Sequence, residues 1–429
     1  MKIRKLIYTT TSIICFSFIF IGPFLYKKSQ ETVVPPKKVA LKKTVIKAET
    51  LKKVTTAANT VAAKYTSEKQ DTPKKHPTKK VLIKNSLSKN IALAKVSFDE
   101  LPGWDKADVK KSLEAFQLSC ANFLKQEPSQ TIGSQNIKFK AGDWHPACNA
   151  AVALDSISEE SARAFFEKWF HPIEFAQKKP ANGLFTGYYM PQIKGELKKS
   201  DEFKTPIYGL PKSGGRHKTR EQIDNGALKE QAPVIAWIRS PVDRLFMEIE
   251  GSGVIKLSNG ESIYLGYAGE NGAPYTSIAK VLIDRGIMTR HNASKKAITR
   301  YLKENPEKAN NLIHKNKSFV FFESLDKPMA LGAQGMELTP GYSLAVDKKW
   351  IPLGAPLWLD TTRPDSRKDN DKQLQRLMIA QDTGGAIRGF MRGDIYWGSG
   401  KVATYLGEHM KNEGQYWLLL PKQIFSRLG

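Results

Sequence analysis

From Gly183 onward, apolar residues come in short runs broken by Gly, Pro, Ser, Asn or Asp, and this rhythm limits the fold more than any other feature. Gly183-Leu184-Phe185-Thr186-Gly187-Tyr188-Tyr189 reads as a strand, with Gly187 marking a close approach of another segment. Residues 234–238, 245–249, 253–257, 319–322, 343–346, 356–359, 377–381 and 416–420 also read as strands. Helical spacing interrupts them at 276–285 and 294–304. Earlier, Val109, Leu113, Phe116, Cys120, Phe123 and Leu124 share a helical period, and Ser156-x-x-Glu159 predicts the start of a helix carrying Ala162, Phe165, Phe166 and Trp169. No internal repeat and no strand–helix alternation is visible. The fold class is therefore mainly β with peripheral helices. A length of 429 residues exceeds what one core serves, so two folded domains with accessory segments are expected.

Charge divides the chain. The net charge is +25, and residues 27–95 hold 18 lysines against 4 acids, about +14 of that excess. Tyr65 is the only aromatic residue between Lys27 and Phe98. Such a segment buries too little apolar surface to offset its chain entropy. Residues 27–95 are expected to be a solvated basic linker, suited to anionic headgroups or an acidic meshwork. No helix-turn-helix, RNA-recognition or zinc-finger signature follows, so nucleic acid is not an expected partner. Ahead of the linker, Lys2, Arg4 and Lys5 precede an apolar run from Leu6 to Tyr26, about long enough to cross a bilayer. No small-residue cleavage pattern follows it. Residues 1–26 are read as an uncleaved membrane anchor, with a cleaved signal or lipidation at Cys15 as alternatives; bulky Ile14 argues against lipidation. Cys120 and Cys148 fall in the folded part. Outside the cytoplasm such a pair favours a disulfide, and two buried free thiols are the alternative.

The seven histidines form no HExxH or HxH, and the three cysteines form no CxxC, so no metal site is expected. No G-x-S-x-G, phosphate loop or dinucleotide fingerprint occurs, and no cofactor is expected. What remains is acid–base chemistry by carboxylates, or no chemistry. Asp382-Thr383-Gly384 occurs once, whereas an aspartic protease needs two such aspartates sharing a proton. Asp382 closes an apolar strand, Gly384, Gly385 and Gly389 permit a tight turn, and Asp394 returns beside Tyr396 and Trp397. A carboxyl among apolar rings loses water, its pKa rises, and it serves as an acid near neutral pH. The plain alternative is that both acids satisfy the amides of a turn.

Asp347, Asp382 and Asp394, in SLAVDKKWIPLG, AQDTGGAIRG and GDIYWG, resemble the three-aspartate (3D) domain. FTGYYMP, TPIYGLP, EGSGVI, GYAGENGAPYTSIAKVLIDRG and NKSFVFF resemble the membrane-bound lytic murein transglycosylase A family. The resemblance covers roughly residues 98 to 425. It implies a double-psi β-barrel of the barwin and endoglucanase type over 96–192 and 317–429, with the 3D motif at about 330–400. A second β domain, 193–316, would be inserted as the other wall of a glycan groove. The implied activity is cleavage of the MurNAc–GlcNAc β-1,4 bond without water, leaving 1,6-anhydro-MurNAc. By motif match Asp394 is the catalytic acid and then base, with Asp382 in support. Thr186, Gly187, Tyr188, Ser252, Gln334 and Asp347 match groove positions, and Tyr275 and Tyr396 are candidates for stacking on sugars. The implied partner is the peptidoglycan glycan strand, with a cell-wall enzyme complex also open, and the chain is expected to be a monomer. Its implied place is the periplasmic side of a bacterial membrane. Two departures stand out. Glu250 replaces the Gln common in the family's QGSG, which leaves open an inverting hydrolase using Glu250 as base. The family's lipobox is missing or degenerate, so the N-terminal segment would replace a lipid anchor. A silent peptidoglycan-binding module is the third alternative.

Overall fold

A computed structural model of the chain describes residues 81–88, 91–177, 183–212, 215–365 and 370–428. The anchor expected at 1–26 and the linker as far as residue 80 lie outside the described residues. The linker does not extend to residue 95. Strands β1 (Val81–Ser88) and β2 (Ile91–Lys95) form an antiparallel hairpin. Leu93 and Ala94 are buried, because this short apolar stretch pairs with a strand formed far downstream.

Next come β3 (Thr131–Gly133) and β4 (Lys138–Lys140), a small separate hairpin, and β5 (Phe170–Gln177), which pairs with β2. Three helices lie between β2 and β5: Lys110–Phe123, His145–Val152 and Glu159–Trp169. Leu113, Phe116, Cys120 and Phe123 recur along one stripe of the first and are all buried. They meet Trp144, Phe166 and Phe170 in the largest core, and a disulfide joins Cys120 to Cys148. The third helix starts later than the Ser156 pattern predicts. Ser158 is its cap, accepting from the Ser161 amide, because Ser158 rather than Ser156 directly precedes the helical turn.

Strand β6 (Gly183–Met190) leads into a sheet built from β7 (Gln192–Glu196), β8 (Thr205–Tyr208), β9 (Val234–Ile238), β10 (Gly253–Lys256), β11 (Ser262–Glu270) and β12 (Val320–Leu325). Their order is β12-β11-β10-β7-β9-β8. Residues 245–249, expected as a strand, are instead part of the helix Pro241–Glu250. The alternation of Leu245, Met247 and Ile249 suggests a strand, yet Ser240 caps the amides of Val242 and Asp243 and Pro241 occupies the first turn. Val242 and Leu245 then pack with Ile278, Leu282, Ile298, Leu302 and Leu312 of neighbouring helices. Beneath them Arg220 and Glu248 form a buried ion pair, and Arg220 also donates to the carbonyls of Asn316 and Ser318. Engaging all three guanidinium nitrogens in this way is what makes a buried pair tolerable.

The remaining strands are β13 (Ser343–Val346), β14 (Pro356–Arg363), β15 (Lys372–Asp382), β16 (Arg392–Ser399) and β17 (Lys411–Pro421). With β6 they close a six-stranded barrel in the order β6-β17-β14-β15-β13-β16 and back to β6. Two of its pairings, β6 with β16 and β13 with β15, are parallel. The class is mainly β with helices at the periphery, and the barrel is of the double-psi kind.

Candidate active site

Strand register assembles the site. In β13, Ala345 pairs with Asp394 of β16 on one side and with Asp382 of β15 on the other. At about 4.8 Å per strand, the two acids stand about 10 Å apart across one sheet. Asp394 also pairs with Thr186 of β6. Because side chains alternate along a strand, Thr186 and Tyr188 share a face of β6. The Thr186 hydroxyl donates to Asp394 Oδ1 at 2.7 Å, and the Tyr188 hydroxyl donates to Asp382 Oδ2 at 2.7 Å.

The two acids are held differently. Burial pushes the Asp394 carboxyl up to about 6; Arg392 and the Thr186 hydrogen bond oppose that rise, and Asp382 adds to it. Asp382 is also raised by burial, against hydrogen bonds that favour its charged form. Its second oxygen, Oδ1, accepts the Ala333 amide at 2.9 Å. Tyr188, partly buried beside Asp382, is held well above the ordinary phenol range by loss of water and by the neighbouring carboxylate.

A third carboxyl approaches from the other sheet's side. Glu250 ends the helix Pro241–Glu250, and its Oε2 accepts the Tyr189 amide of β6 at 3.0 Å. Lys295 stands 3.6 Å from Glu250 Oε1 and donates to the Tyr189 hydroxyl, which in turn donates to Glu408. Burial pushes Glu250 up to about 7; Lys295 and the Tyr189 amide hold it down, and the Asp394 charge raises it. Glu250 therefore stands close enough to Asp394 to feel its charge.

Other sequence-predicted residues take varied places. Gly187 faces away from the acids: a Cβ there would lie 2.5 Å from Trp397 Nε1, so its role is to admit that ring. Asp347 is buried and accepts the amides of Lys349 and Gly389, which pins the loop between Asp382 and Asp394. These two bonds hold the turn. Tyr396 is buried against Tyr188, Ala330 and Leu338, which removes it as a stacking surface. Gln334 Oε1 accepts from Ser119 across to the first helix, and Gln334 lines a cavity of about 580 Å³ with Ala333, Asn122 and Lys138. The Ser252 hydroxyl is buried without a hydrogen-bond partner among the described residues. Tyr275 lies against Gly385 of the acid-bearing loop. Sequence reasoning missed Arg392, Lys295, Tyr189 and Glu408. Arg392 alone carried a local signal, two residues before Asp394 on the same strand face. Among the described residues no group of three or more His, Cys, Asp or Glu is arranged to hold a metal, and no helix is long and apolar enough to cross a membrane.

Residues 184–323 match the MltA specific insert domain, and residues 342–420 match the 3D domain. The chain is 36% identical over 245 residues to the membrane-bound lytic murein transglycosylase A of Vibrio cholerae, covering 56% of this chain and 66% of that protein. The Escherichia coli K12 protein of the same name is 36% identical over 241 residues, with the same coverage. Among solved structures, MltA from Neisseria gonorrhoeae in a monoclinic form superposes with a TM-score of 0.65 at 32% identity, covering 78% of this chain and 94% of that one. Escherichia coli MltA with bound chitohexaose superposes at 0.59 and 27% identity, covering 83% and 99%. The chain thus spans about two thirds of the curated relatives it matches in sequence, and nearly all of the solved ones.

Proposed function

The chain belongs to the membrane-bound lytic murein transglycosylase A family, and on that premise we propose that it cleaves the β-1,4 bond between MurNAc and GlcNAc in peptidoglycan without water, leaving 1,6-anhydro-MurNAc ends. One observation carries this reading. Of the three carboxyls gathered at the site, only Asp394 keeps an oxygen that no described protein group occupies. Asp382 has both oxygens engaged, and Glu250 is held by the Tyr189 amide and Lys295.

The chemistry needs one such group. Protonated Asp394 gives its proton to the bridging oxygen as the bond to the anomeric carbon breaks and positive charge builds on the ring. The carboxylate left behind takes the proton of the sugar's own 6-hydroxyl as that oxygen attacks the anomeric carbon. Asp394 thus ends without net change in protonation, and no water is consumed. A carboxyl with a pKa of about 6 suits both halves, since neither form is costly near neutral pH. Asp382, held by Tyr188 and the Ala333 amide, supports it from behind.

We take the glycan groove to run between the barrel, 96–192 and 317–429, and the inserted domain, 193–316. The insert reaches the acid-bearing side at two points, Tyr275 against Gly385 and Glu250 against β6. The membrane-bound relatives and the apolar run Leu6–Tyr26 support attachment to the periplasmic face of a bacterial membrane, with the basic linker as a spacer.

A second reading has one observation in its favour: Glu250 is largely buried, has a pKa of about 7 and feels the charge of Asp394. As a general base it would turn the enzyme into an inverting hydrolase. Mass spectrometry of the products from purified sacculi decides. Anhydro ends are expected from wild type and from Glu250→Gln, whose amide oxygen still accepts the Tyr189 amide. Reducing ends that vanish with Glu250→Gln would establish the hydrolase. If wild type and Asp394→Asn both retain glycan and release nothing, the protein is a binding module.

A further inference from the structure

Arg392 and Asp394 sit two residues apart on β16, so their side chains share a face, and Thr186 is the register partner of Asp394 across β6. Arg392 Nη2 donates to Thr186 Oγ1 at 2.7 Å. Its other nitrogen, Nη1, donates to the carbonyls of Leu184 and Gly393, which fixes the guanidinium in place. Thr186 Oγ1 stands 2.7 Å from Asp394 Oδ1. The direction of this chain of hydrogen bonds follows from the donors and acceptors within reach. A guanidinium has only donors, so the threonine oxygen must accept from it. Thr186 Oγ1 has a second lone pair, but its one proton has no other acceptor among the described residues, so it is donated to Oδ1.

We propose that Arg392 is a positioning residue that acts through Thr186: it locks the hydroxyl as a donor to Oδ1 and so confines the acid proton of Asp394 to Oδ2. Oδ2 is the oxygen without a partner among the described residues, and it is the atom that meets the bridging oxygen. When the proton leaves Oδ2, the new negative charge is shared with Oδ1, where the Thr186 hydroxyl already stabilises it. When the 6-hydroxyl is deprotonated, its proton returns to Oδ2, because Oδ1 is occupied. The relay therefore fixes one atom for both transfers. The other charged or titratable groups near Asp394 are Asp382 on β15, Tyr188 on β6 and Glu250 on the insert helix, and none of them donates to Oδ1. The identity of the sugar in this scheme rests on the lytic reading above; the address of the proton does not.

The test combines two measurements on the full chain. Carboxyl carbon NMR titration of Asp394 needs no substrate. Losing the Arg392 charge and the donated hydrogen bond should raise the Asp394 midpoint by about one pH unit in Arg392→Met and in Thr186→Val. Thr186→Ser, which keeps the hydroxyl, should titrate as wild type. Arg392→Lys, which keeps a donor and a charge, should recover at least half of the shift. The second measurement is the pH profile of muropeptide release. In Arg392→Met and Thr186→Val its alkaline limb should move up with the midpoint, while the maximal rate falls about tenfold or more. An unshifted Asp394 midpoint in both Arg392→Met and Thr186→Val overturns the relay, as does a Thr186→Val enzyme with wild-type rate and profile. If wild type releases nothing, the lytic reading fails while the titration still judges the relay. Should Arg392→Met not fold, the nearly isosteric Thr186→Val decides.

Discussion

Asp394→Asn should abolish release of anhydro-muropeptides and also make the protein more stable near neutral pH. The sign follows from the carboxyl's pKa of about 6 against an ordinary 3.8. The folded state binds this proton more tightly than the unfolded chain, so between about pH 4 and 6 the contribution of Asp394 to stability falls as pH rises. Asparagine carries no such penalty. A gain on the order of 1–3 kcal/mol at pH 7, lost below about pH 4, is expected in denaturant unfolding of the variant against wild type. A variant less stable at pH 7 would mean that Asp394 is a structural acid. The same pKa sets activity: kcat/KM should fall about tenfold per pH unit above the Asp394 midpoint. The residue alphabet made Asp382 and Asp394 visible, as acids at strand ends beside glycines and rings. It could not separate them from Asp347, which turned out to hold amides of Lys349 and Gly389. All three acids sit in similar local strings, and only their partners differ.

At the scale of elements, Gly187 shows how one strand serves two faces. Thr186 and Tyr188 meet the acids, while Gly187 leaves room for Trp397 on the opposite side. Gly187→Ala would place a methyl 2.5 Å from the indole nitrogen and 3.1 Å from the Leu406 carbonyl. The expected loss is about 1–3 kcal/mol, read as a lower thermal midpoint. Activity should fall too, because β6 carries Thr186 and Tyr188; an unchanged midpoint would show that Trp397 yields freely. Strand periods were legible in the sequence wherever two faces differ in polarity. The helix Pro241–Glu250 was not, because Leu245, Met247 and Ile249 alternate as a strand would. Its cap, Ser240 followed by Pro241, was the better signal. Ile249 is in fact exposed while Val242 and Leu245 are buried, which fits a helical turn and not a two-residue repeat.

Across the whole molecule, the N-terminal helices brace the barrel's flank through Trp144, Phe116 and the Cys120–Cys148 disulfide. The disulfide spans 28 residues of sequence, and closing a loop of that size is worth about 3–4 kcal/mol in the unfolded-chain picture. Replacing both cysteines with alanine should lower the thermal midpoint by several degrees while release at low temperature stays near wild type. Loss of activity at a temperature where the variant remains folded would show that the bond shapes the groove itself. The sequence alone determined what is local: a mainly β chain, because most of its breaker-bounded apolar runs are too short to serve as anything but strands, and two aspartates at the ends of strands. Only the tertiary structure decided which groups face them. Thr186 meets Asp394 across 208 residues of chain and Tyr188 meets Asp382 across 194. Both contacts depend on closure of the barrel and on Ala345 lying between the acids. No periodicity encodes a partner that far away, because pairing register is settled by the packing of whole strands and not by the residues next to the acid.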